Sequence, residues 1–168
     1  MQKFVLMNIV SICVGFAQTS LNMEYFGNLN QHPTVVSGGI YSACWGYTAP
    51  DGREYAILGC YNGTAIIDIT DSTSLVERAF IPGVSTTWHE MKTYRHYAYV
   101  VTDGLGQGIQ IIDLSNLPTS ASLANTYVWT DTVSGVPTAR PTAHSVSVSG
   151  NYLYLNGGTG QSIRILDL

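Results

Sequence analysis

Three short runs share one pattern. AIIDI at 65–69, IQIIDL at 109–114 and IRILDL at 163–168 are apolar stretches that close on an aspartate. Apolar runs this short, without strict alternation, suit strands buried on both faces. A Tyr-led run precedes each, beginning at Tyr55, Tyr97 and Tyr152, and an opening strand candidate stands before that. Gly-rich turns, such as GLGQGIQ at 104–110 and NGGTGQS at 156–162, join the second and third strands. A fourth strand candidate follows twice, as SLVERAFIPG and as ANTYVWTD. Asp68, Asp113 and Asp167 recur at intervals of 45 and 54 residues, the longer one containing DTVSGVPTARPT. Repeats near this period stack or close radially, and four short antiparallel strands make one propeller blade. No window carries a sustained helical period.

The expected fold is therefore an all-β propeller of four-stranded antiparallel blades, spanning 40–83, 84–135 and 136–168. The third unit stops after its third strand, and closure takes about 4–8 blades. The sequence reads as an incomplete fragment of about two and a half blades plus an N-terminal segment. Segment 18–39 is expected to lend a strand to a blade. Bare sheet edges predict association. The recurring aspartates are expected to accept backbone hydrogen bonds in the turns that follow.

Residues 1–17 change the picture. Lys3 precedes an apolar run from Phe4 to Ala17, and Gly15-Phe16-Ala17 places small residues as a cleavage site requires. This predicts a signal peptide rather than a membrane span, which is longer. No second apolar run offers a transmembrane segment. Export would place the chain outside the cell, at its surface or in the periplasm. Only 11% of the residues are charged and the net charge is −4. Nucleic acid is excluded as a partner, since phosphate binding needs clustered Lys and Arg.

Cys44 and Cys60 flank the turn APDGRE, so they either face each other across a hairpin as a disulfide or stay buried free thiols. His89 and His144 each lie eight residues before the Tyr of their unit, on the opening strand. In a propeller that strand lines the central channel. With Glu90 they could hold a divalent metal ion; the alternative is a histidine pair hydrogen-bonded across blades or to channel water. Trp45 and Trp88 correspond by spacing, and either pack between blades or, with Tyr41 and Tyr47, form an aromatic platform for a glycan or surface protein. Asp103 alone is a weak calcium signal. The Gly-rich loops precede no helix, and no Gly-x-Ser-x-Gly elbow occurs, so nucleotide binding and serine hydrolysis find no support.

In order along the chain come Trp45-Gly46, Arg53-Glu54-Tyr55, Asn62-Gly63-Thr64, Trp88 with Lys92, and Gly108-Ile109-Gln110 running to Asp113-Leu114. This series resembles the choice-of-anchor B family of exported bacterial proteins, and the third strands resemble LVIVD repeats. The resemblance covers about residues 40–168 and implies a cell-surface β-propeller with no established catalytic activity. The expected function is a binding module rather than an enzyme. The alternative is a metal-dependent hydrolase or lyase with a histidine-lined channel.

Overall fold

The computed structural model describes residues 24–33, 40–133, 136–138, 142–158 and 163–168. The stretch 1–17, where a signal peptide is expected, lies outside them. Within the described residues every regular element is a strand, and no helix is long and apolar enough to cross a membrane.

The first sheet runs β1 (Tyr41–Thr48), β2 (Glu54–Cys60), β3 (Gly63–Asp68) and β4 (Val76–Pro82), each antiparallel to the next. The second repeats it with β5 (His89–Tyr94), β6 (Tyr97–Thr102), β7 (Ile109–Asp113) and β8 (Ser122–Tyr127). Within the inserted stretch β9 (Asp131–Val133) and β10 (Val136–Thr138) pair antiparallel. The third sheet has β11 (Ser145–Ser149), β12 (Tyr152–Asn156) and β13 (Arg164–Asp167). The first strands lie side by side, β1 against β5 and β5 against β11. These sheets are propeller blades, and among the described residues they do not close into a ring.

Apolar contact between blades explains the double-sided runs. Tyr55, Ile57 and Ile66 of the first blade pack on Met91, Ala98, Val100 and Ile112 of the second. Tyr99, Val101 and Ile109 pack on Val146, Leu153 and Leu155 of the third. Each fully buried aliphatic side chain contributes about 1.5–3 kcal/mol. β3 is buried along its whole length, as its AIID sequence requires.

The repeating aspartates end their strands as expected. Asp68 Oδ1 accepts from the Thr70 N–H at 3.1 Å, and Asp113 Oδ1 from the Ser115 N–H at 2.8 Å. Glycine has a shared task at the start of β3 and β7. A Cβ on Gly63 would overlap the Ile81 carbonyl, and one on Gly108 the Tyr127 carbonyl. The fourth strand thus approaches too closely for any side chain. Residues 24–33 form no strand; they lie against the first blade. There His32 stacks on Phe80 at 4.0 Å and reaches Glu77 at 2.7 Å, and Tyr41 donates to Asn30 at 2.6 Å.

Candidate functional site

The β2–β3 and β6–β7 turns, the 83–88 linker and the start of β11 bring His89, Asp103 and His144 to the same end of the blades. His89 and His144 do hold one register position. His89 lies opposite Thr102, and the His144 N–H donates to the Asn156 carbonyl. Their surroundings differ.

His89 is fully buried. Its backbone N–H donates to Ser42 Oγ, and the same hydroxyl donates to the His89 carbonyl, both at 3.0 Å. Gly59 makes this possible: a Cβ there would stand 2.9 Å from His89 Cβ. Neither ring nitrogen has a hydrogen-bond partner. Burial lowers the imidazole to about 4 against the weaker opposing pull of the Val84 backbone, so His89 is neutral at pH 7. Two glutamines stitch this junction. Gln107 Oε1 accepts from the Val84 N–H at 2.7 Å, and Gln110 Nε2 donates to the Pro82 carbonyl at 2.8 Å. Gln110 of the Gly108-Ile109-Gln110 element thus has a structural task across blades. Sequence spacing carried no sign of the glutamines' targets.

His144 is exposed. Its ring stacks on Trp88 at 4.6 Å with an interplanar angle of 5°, and Trp88 Nε1 donates to the His144 carbonyl. Its Nδ1 lies 2.9 Å from Asp103 Oδ2. A carboxylate oxygen accepts in this contact, so Nδ1 is the donor and Nε2 faces outward from the pair. Thr102 supports the tryptophan by donating to its carbonyl at 2.8 Å. Trp88, Asp103 and His144 therefore form one cluster at the second blade junction.

Other expectations are corrected. Glu90 turns to Lys92, at 3.2 Å, and among the described residues no three His, Cys, Asp or Glu side chains converge as a metal set would. His89, Glu90 and His144 do not fit a shared metal. Trp45 and Trp88 are not equivalent. Trp45 lies opposite Ile57, the place Lys92 takes opposite Tyr99, while Tyr41 opposite Cys60 matches His89. The cause is the turn, which spans 49–53 in the first blade and 95–96 in the second, together with a bulge between Tyr41 and Cys44. Trp45 donates to Thr93 at 3.1 Å and carries the Lys92 ammonium 4.1 Å from its ring centre. It ties β1 to β5. Tyr47 is buried in the core, and Tyr41 is held by Asn30, so these residues form no platform with Trp88. Cys44 and Cys60 are free thiols; Cys44 sits opposite Leu58 instead. Burial raises the Cys60 thiol to about 11.

Residues 91–128 and 142–166 match the LVIVD repeat. The two matched stretches fall on the second sheet, β5 to β8, and on the third, β11 to β13. No curated protein and no solved structure matches the chain.

Proposed function

We propose that this chain is an exported β-propeller binding module of the choice-of-anchor B type, and that it recognises a glycan through Trp88, His144 and Asp103. The carrying observation is the exposed histidine stacked on a tryptophan and paired with a carboxylate at the blade end. Aromatic faces pack against the C–H surfaces of sugars, while a carboxylate and an imidazole nitrogen accept hydroxyl hydrogens. The leader-like residues 1–17 and the low charge support export. Among the described residues no converging ligand set supports the metal-dependent hydrolase reading.

The test is a glycan array probed with the intact exported chain, followed by calorimetry on a hit. Binding should survive chelation and weaken at least about tenfold in His144→Ala. Binding that vanishes on chelation, or that ignores His144→Ala and Trp88→Ala alike, would overturn the proposal.

A further inference from the structure

We infer that the cluster of Trp88, His144 and Asp103 selects amino sugars, holding their ammonium group against the aromatic pair and the Asp103 carboxylate. This narrows the glycan reading above and rests on it.

The cluster spends its side-chain donors on itself. Trp88 Nε1 donates to the His144 carbonyl, and His144 Nδ1 to Asp103 Oδ2. The Thr102 hydroxyl behind them donates to the Trp88 carbonyl. The groups left for a ligand are aromatic surface and Asp103 Oδ1, on a side chain that is 43% exposed. A ligand must therefore bring the donor. An ammonium brings three N–H donors together with a positive charge that an indole face attracts. A neutral sugar brings hydroxyl donors without the charge, and a uronate brings the sign that Asp103 repels.

The molecule builds this arrangement once from its own residues. At the first blade junction the Lys92 ammonium lies 4.1 Å from the centre of the Trp45 ring and 3.2 Å from Glu90 Oε1. A tryptophan and a carboxylate thus hold an ammonium there. Trp88 and Asp103 offer the same two groups at the second junction, joined through the His144 ring. The described cations are engaged elsewhere. Lys92 is paired with Glu90, and Arg164 lies over the Trp129 ring. Arg53 and Arg78 hold Asp68, and Arg95 stands in the β5–β6 turn, both at the opposite blade end.

Calorimetry on the intact exported chain at pH 7 and low salt should compare a glucosamine tetramer with free amines, its N-acetylated counterpart and a tetragalacturonate. The free-amine tetramer should bind at least about tenfold more tightly than the acetylated one, and the uronate should give no binding heat. Raising the salt to about 0.5 M should shrink that preference. Asp103→Asn should cut it to about twofold, and Asp103→Glu should restore part of it; circular dichroism checks both folds. Equal affinity for the free-amine and acetylated tetramers, or a preference that Asp103→Asn leaves intact, would overturn the inference while the glycan reading stands. Binding of no oligosaccharide would overturn both. Tetralysine bound as tightly as the glucosamine tetramer would also overturn the inference, because the cluster would then read an ammonium without the sugar.

Discussion

One register position carries histidine at both blade junctions, and the two side chains live in opposite settings. His89 is sealed between Ser42, Gly59 and the 83–88 linker, with both ring nitrogens unpartnered. His144 stands in solvent against Trp88 and Asp103. Residue type and spacing are the same, so neither can assign a role. What differs is the neighbouring blade. Gly59 and Ser42 let the first blade close over His89, whereas the second blade meets His144 with a bulky indole and a carboxylate. One histidine has become part of the core and the other part of a surface.

The largest contrast should come with acid. The folded His89 value near 4 lies below the unfolded 6.5, so between them the unfolded chain binds more protons. Stability is complete above about pH 6.5 and falls as pH drops towards 4, by on the order of 3 kcal/mol. Denaturant unfolding at pH 7 and pH 4.5 measures this. His89→Leu should flatten that slope and be neutral or stabilising at pH 7, since it removes unpaired buried nitrogens. A variant that keeps the slope would show that another group controls it. Asp68 falls in a different window. Burial raises its carboxyl, but bonds from Thr70 and Arg78 outweigh that and hold it at about 2. Its contribution is lost only as pH falls from about 3.8 towards 2.

Next in size is the close approach at Gly59. Gly59→Ala should destabilise by about 1–3 kcal/mol, because the new methyl meets His89 Cβ and the His89 carbonyl. Gly46→Ala, with open space around it, is the matched control; thermal unfolding of both decides. Ser42→Ala should cost about 1–2 kcal/mol by leaving the His89 N–H unpaired. Trp88→Phe should cost least, about 1 kcal/mol, since it keeps an aromatic ring beside His144 and loses only the indole hydrogen bond. If Trp88→Phe proved the costlier of the two, the second junction would be the tighter one and the comparison would invert.

Much of the architecture is legible in the chain. The three apolar-aspartate runs mark β3, β7 and β13, and the Tyr-led runs mark β2, β6 and β12. The equivalence of His89 and His144 also follows from spacing, because their two hairpins have turns of equal length, 95–96 and 150–151. The same counting misplaces Trp45 because the first turn is longer and β1 carries a bulge. The opposition of Cys44 and Cys60 fails for the same reason. Partners such as Asp103 for His144 or Pro82 for Gln110 come from a different blade, and sequence periodicity records only the blade itself.

Local physics acts along the chain, so the sequence by itself determined the strands, their order and the turn role of Asp68 and Asp113. Burial, protonation and exposure depend on which blade lies opposite. Only the tertiary structure decided that His89 is a neutral core residue and that His144 belongs to an exposed cluster.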